Sequence, residues 1–157
     1  MNLGTRGALT FPLGDYWFAV RVEEAGGVLE ADRLAQLPGR TAPIAGLAAF
    51  RGEMVPVIDL GAHLGIDTPT RSPRYALVLA RGVDRFAILI PEIPKLVPGR
   101  ALNEAPAPSD PDLGDLFESV LETETDRYYC LNYWRIFESI APVAPGTASR
   151  VPAAVEN

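Results

Sequence analysis

The stretch Gly46–Ile66, GLAAFRGEMVPVIDLGAHLGI, sets a lone Arg-Gly between two apolar runs and then changes to a helical texture. Two β-rich runs around a short polar break containing glycine read as a hairpin. Gly52 supplies the positive φ that a tight reversal demands. Arg51 is a different matter. The turn would work as well with Asn or Asp, so the arginine must be retained for a reason outside the hairpin. After the second run, Asp59 is placed to cap a short helix over LGAHLG, which Gly65 ends.

Working outward, the same pattern recurs. ALTFPL (8–13) and YWFAVRV (16–22) flank Gly14-Asp15, and Pro12 suggests an edge position. RYALVLA and RFAILI flank Gly82-Val83-Asp84, and FESVLET and RYYCLN enclose Glu124-Thr125-Asp126. The texture then shifts at YWRIFESI (133–140), where Trp134, Phe137 and Ile140 share one helical face, predicting a short closing helix. The chain is therefore expected to be mainly β, its hairpins sorted into two small barrels. Residues 98–112, PGRALNEAPAPSDPD, hold several prolines and little to bury, which predicts a surface loop or linker.

Length and composition bound the function. At 157 residues, 48% apolar and 22% charged, the chain suits one domain with a sizeable core. The apolar runs IAGLAAF and FAILIP fall far short of the roughly 20 residues of a spanning helix. The start MNLGTRGALTF lacks the apolar core of a signal peptide, so the expected location is the cytoplasm, without membrane insertion. A net charge of −6 argues against nucleic-acid binding, which draws on Lys and Arg neutralising phosphates.

The residues of chemistry are sparse. His63 is the single histidine and Cys130 the single cysteine, so neither a two-histidine metal site nor an internal disulfide can form within one chain. Cys130 lies in the apolar run YYCLNY with no adjoining cation to lower its pKa, and reads as an inert buried thiol. The glycines lack phosphate-loop spacing. Glu23, Glu24, Glu122, Glu124 and Asp126 fall at strand ends or turns and read as solvated carboxylates. Trp17 and Trp134 sit among large apolar residues and read as core. No metal, cofactor or catalytic residue is expected.

Against that background the opening stretch becomes specific. LPGRTAPIAGLAAFRGEMVPVIDLGAHLGI, Leu37 to Ile66, resembles the CheW family of chemotaxis coupling proteins: a proline near a loop, an apolar-x-Gly step, an Arg-Gly turn and V-P-V-I-D-L follow in the family's order. LTFPLGDYWFAV, YALVLARGVDRFAILI and YYCLNYWRIF extend the similarity to the family's opening hairpin, central hairpin and closing strand and helix. The resemblance implies two intertwined five-stranded SH3-like barrels over residues 1–142, with 143–157 as a flexible tail. It implies a non-enzymatic scaffold that binds the regulatory domain of a CheA-type histidine kinase and the cytoplasmic tip of methyl-accepting chemoreceptors. The partner-binding positions it carries over are Gly46, Arg51 and Gly52, with Ala25, Val28, Ala87 and Ile93 along an apolar receptor groove. Three places depart from the family's pattern. Ala49-Phe50 stands where an Asn-Leu usually precedes the Arg-Gly, Gly26-Gly27 replaces an acidic position, and Ile90-Pro91 replaces a Val-Asp. The alternative reading is an unrelated small β-barrel that binds a ligand or nucleic acid.

Residues 143–157 offer almost no large side chain whose burial could offset the entropy of ordering them. Deleting them is expected to leave the melting temperature unchanged; a drop of several degrees would show that the tail packs on the barrels.

Overall fold

The computed structural model describes residues 6–31, 34–35, 44–66, 74–106 and 116–140. The proposed tail, residues 107–112 of the Pro-rich segment and the Leu37–Pro43 start of the family-like stretch lie outside the described residues. The chain opens with β1 (Gly7–Leu13), β2 (Tyr16–Arg21), a 3₁₀ turn at Val22–Glu24 and β3 (Ala25–Glu30). The hairpin β4 (Ile44–Phe50) and β5 (Glu53–Ile58), helix α1 (Leu60–Leu64) and the hairpin β6 (Tyr75–Arg81) and β7 (Asp84–Ile90) follow. The last part comprises β8 (Lys95–Pro98), a 3₁₀ turn at Gly99–Ala101, β9 (Asn103–Pro106), β10 (Phe117–Glu122), β11 (Arg127–Leu131) and α2 (Tyr133–Ile140).

These strands form two sheets of SH3-like barrel type. One has six strands in the order β8-β1-β2-β11-β10-β9, the other five in the order β3-β6-β7-β5-β4. The first sheet joins both ends of the chain and the second is made from its middle, so the two are intertwined. Each contains one parallel pair: β2 with β11 through Phe18↔Tyr129 and Ala19↔Cys130, and β5 with β7 through Val57↔Ala87 and Ile58↔Ile88. The sixth strand corrects the expectation of a loop over 98–112, because the Pro-rich segment holds the end of β8 and all of β9 on either side of a 3₁₀ turn. Both are edge strands, where proline is tolerated because an outward position needs no N–H. Pro12 is on β1, an interior strand, but the β8 ladder stops at Thr10↔Lys95 and leaves its position open on that side.

Strand alternation divides the core into three parts. On β7, Phe86, Ile88 and Ile90 face the layer between the sheets, while Ala87 and Leu89 face the inside of the five-stranded barrel. A strand buried on both faces has no polar alternation, which is why RFAILI is continuously apolar. Phe11, Phe18 and Val20 enter the shared layer from the other sheet, and Ala8, Ala19, Leu102, Leu121, Tyr128 and Cys130 fill the six-stranded barrel.

Helix α2 closes the shared layer. Its N-terminus is capped by Asn132, whose side-chain oxygen accepts from the Arg135 N–H at 3.2 Å. Phe86 meets Trp134 edge-on at 5.0 Å and Phe137 stacked at 4.6 Å, so the aromatic face predicted for this helix is the packed one. Two polar bonds orient it: the Tyr133 hydroxyl donates to the Ala19 carbonyl at 2.7 Å, and Trp134 Nε1–H donates to Glu24 at 2.9 Å. The Arg81 guanidinium lies over the Trp134 ring at 4.7 Å and 3.9 Å from the same Glu24 carboxylate. Glu24 is thus a structural partner of the helix, not the solvated carboxylate read from its turn. Trp17 also departs from its expected core role and is 39% exposed.

The two glycines of β3 differ in what they permit. Gly26 occupies a bulge between Ala25 and Gly27, and a Cβ there would come no nearer than 3.4 Å to its neighbours. At Gly27 a Cβ would come within 2.9 Å of the Phe50 ring. Gly27→Ala is expected to lower stability by about 1–3 kcal/mol through overpacking. Gly26→Ala should cost much less. Urea denaturation of both variants checks this, and equal effects would show that Phe50 can move aside freely.

Candidate functional site

The β4–β5 hairpin carries the residue that the turn chemistry left unexplained. Arg51 and Gly52 both take positive φ, 51° and 82°, the signature of a two-residue turn whose twist matches its strands. Glycine and asparagine accept that conformation readily; for other L-residues it costs roughly 1–2 kcal/mol. Asn would therefore suit position 51 better than arginine does, not merely as well. The guanidinium lies over the Phe50 ring, 4.9 Å from its centroid, and makes no ion pair with any described residue. Phe50 itself is turned into the five-stranded barrel against Gly27. The arginine is held by an aromatic plane from within, and its hydrogen-bonding edge has no partner among the described residues.

Around it lies an apolar face. The register Leu47↔Pro56 and Ala49↔Met54 sets these four side chains on the side of the hairpin opposite Val55, Val57, Ala48 and Phe50. Met54 is 54% exposed and Ala49 is exposed, while Leu47 and Pro56 are half-buried. An Arg85–Glu53 ion pair of 2.9 Å closes the other side of the turn. On the free edge of β4, Ala35 exchanges both backbone bonds with Leu47 at 2.8 Å. The Gly27–Phe50 contact sets β3 beside this hairpin, and β3 carries the exposed Val28. The period-2 alternation of EMVPVI already sets Met54 on the outward face.

The remaining sequence-derived positions divide. Ile93, in the link from β7 to β8, is exposed, as is Leu96 on β8, which sequence reasoning did not single out. Ala25 is half-buried beside the shared layer. Ala87 is 0% exposed on a central strand, so its side chain can touch no partner, and its place in the groove is corrected to the barrel interior. Gly46 is buried as well; a Cβ there would meet the Ala35 carbonyl oxygen at 2.8 Å and Leu34 Cβ at 2.9 Å, which is a packing requirement. Neither glutamate of the 3₁₀ turn is placed to serve the arginine by strand alternation. Glu23 accepts from the Arg6 N–H at 2.8 Å, and Glu24 is taken by Trp134.

Burial pushes the Cys130 thiol up to about 12, with Arg21 acting in the opposite direction, so the sulfur is protonated at neutral pH and is no nucleophile. The His63 imidazole is half-buried on α1, and burial lowers its pKa. Among the described residues, no three His, Cys, Asp or Glu side chains cluster as metal ligands, and no helix is long and apolar enough to cross a membrane. What remains is an exposed apolar surface with a stacked, unpaired arginine, a geometry suited to docking.

Residues 7–139 match the CheW-like domain. The chain belongs to the CheW-like family. It is 38% identical over 81 residues to "Protein PilI" of Pseudomonas aeruginosa, 51% of this chain and 45% of that protein. It is 27% identical over 81 residues to "Probable chemotaxis protein CheW" of Rhizobium etli, 52% of each chain. The matched stretch therefore spans about half the length of these curated relatives. The crystal structure of the scaffolding protein TtCheW from Thermoanaerobacter tengcongensis superposes with a TM-score of 0.71 at 17% identity, covering 82% of this chain and 89% of that one. The family follows from the domain match and the fold from the superposition. Within the CheW-like domain, Gly27 and Phe50 form one contact that backs the arginine.

The strained turn yields a test. Stacking on Phe50 returns about 0.5–1 kcal/mol to the arginine, against the roughly 1–2 kcal/mol of its left-handed backbone. Arg51→Asn is accordingly expected to leave the melting temperature unchanged or slightly raised while partner binding is lost. A clear fall in thermal stability would assign the arginine to the fold.

Proposed function

We propose that the chain is a non-enzymatic coupling protein of a bacterial chemosensory system, acting in the cytoplasm. It joins the regulatory domain of a CheA-type histidine kinase to the cytoplasmic tips of methyl-accepting chemoreceptors. The observation that carries this reading is Arg51, without an ion-pair partner among the described residues, at the tip of the β4–β5 hairpin inside a CheW-like domain. A guanidinium fork presented this way fits a carboxylate or carbonyl of a partner and is not needed by the hairpin. Val28 and Ile93, with Met54 and Leu96 beside the carried-over positions, supply exposed apolar surface for the same docking.

Each contact is expected to be of modest area and affinity, and an assembly that links many of them gains strength by multivalency. The absence of an acidic residue at Gly26-Gly27 supports reading the chain as a divergent member of the family.

Calorimetric titration with the regulatory domains of CheA-type kinases from the same genome is expected to show binding in the micromolar range. Failure to bind every cognate regulatory domain, with the protein folded, would overturn the coupling reading.

A further inference from the structure

The hairpins β1–β2 and β10–β11 turn at the same end of the six-stranded barrel, because their second strands run parallel side by side. At that end Trp17 stands edge-on to Tyr128 with ring centroids 6.2 Å apart. Pro12 lies directly opposite Trp17 in the β1–β2 register. Tyr128 is the buried member of the pair and Trp17 the exposed one. The contrast with the other tryptophan is informative. Trp134 Nε1–H is satisfied by Glu24, whereas among the described residues neither the Trp17 indole N–H nor the Tyr128 hydroxyl has a protein partner. Trp17 belongs to the barrel-interior face of β2, the face that Ala19 occupies further along, yet it overhangs the open mouth.

The rim of this mouth is acidic. The two turns and their flanks bring Asp15, Glu122, Glu124 and Asp126, against Arg127 and Lys95. Arg127 is already tied to Glu122 at 3.1 Å. The Asp126 charge reaches the aromatic pair, adding to burial in raising the Tyr128 hydroxyl's pKa. An occupant must be cationic, which disfavours nucleic acid and anionic lipid. It cannot dock by adding a strand here, because β2 and β11 are both paired on both sides. An extended segment must instead offer rings to the aromatics and carbonyls to free donors. A polyproline helix does both, and its backbone is already ordered before binding.

We propose that the Trp17–Tyr128 mouth of the six-stranded barrel is a docking site for a partner's proline-rich segment flanked by Arg or Lys. The site is independent of Arg51 and does not rest on the coupling reading. Its occupant is a polypeptide with prolines spaced to stack on Trp17 and a cation that reaches Asp126 or Asp15. Attraction across the acidic rim weakens with salt.

The test uses the full chain and three fluorescently labelled synthetic peptides: an Arg-flanked proline-rich one, the same with prolines changed to alanine, and the same with arginines changed to glutamate. Anisotropy is expected to show binding of the first, weakened about ten-fold or more by either change, as loss of an anchoring contact does. Trp17→Ala and the double variant Asp15→Asn/Asp126→Asn should each weaken it similarly, and the second should flatten its salt dependence. Because Trp134 is buried, a peptide-induced blue shift of tryptophan emission should vanish in Trp17→Phe. Circular dichroism checks that the variants fold; should Trp17→Ala fail, the aspartate pair and the peptide series decide. Equal binding of the proline-free or the acidic peptide, no binding at millimolar concentration, or indifference to both variants would each overturn the proposal. So would self-association of the chain that Trp17→Phe abolishes, since the face would then belong to a second copy.

Discussion

Phe86, from the middle of the chain, is gripped by Trp134 and Phe137 from its end, with ring centroids 5.0 and 4.6 Å away, and the architecture turns on that contact. The residues belong to different sheets' neighbourhoods: β7 is in the five-stranded sheet, and α2 follows β11, an interior strand of the six-stranded one. Burying Phe86 against the helix fixes the two barrels through a single apolar layer. Removing a ring from such a layer costs about 3–5 kcal/mol, a large share of the 5–15 kcal/mol that holds a typical domain together. The clusters inside the two barrels are smaller than this shared layer. Their interiors are narrow and lined partly by alanine, with Ala8 and Ala19 in one and Ala48, Ala76 and Ala87 in the other.

The same layer explains where polar groups are tolerated. Glu24, Trp134 and Arg81 form one connected set in which the carboxylate accepts from the indole and the guanidinium covers the ring. Tyr133 is wholly enclosed but donates to a backbone carbonyl, so its hydroxyl is not stranded. These contacts set the position of α2 along the layer, which apolar packing alone leaves free to slide. Rigidity at the junction is what allows the hairpins on either side to present side chains at fixed positions.

Two exposed features stand on that rigid base, and they use aromatic rings in opposite ways. At Arg51 a buried ring supports an exposed cation, and the left-handed backbone of the arginine is a local loss of stability at the tip of the hairpin. At Trp17 an exposed ring stands over a buried one among carboxylates. The first surface suits an acidic or carbonyl-bearing partner, the second a cationic one.

The order of hairpins, the Asp59 cap, the αL glycine at Gly65 and the closing helix were all readable from the sequence. Each rests on local chemistry: turn residues, a capping carboxylate, a period of two or 3.6. The apolar strand RFAILI and the burial of Cys130 were legible for the same reason. The fates of Gly27, Gly46, Ala87, Glu24 and Trp17 were not. Each depends on a residue far along the chain: Phe50 against Gly27, Ala35 against Gly46, Trp134 against Glu24. Ala87 and Trp17 both lie in apolar runs, yet one is sealed between two neighbouring strands and the other overhangs a barrel mouth. Local sequence sets which face of a strand a side chain takes. Whether that face meets another sheet, a barrel interior or water is decided only when distant strands pair, since burial belongs to the neighbours a residue acquires and not to the residue itself.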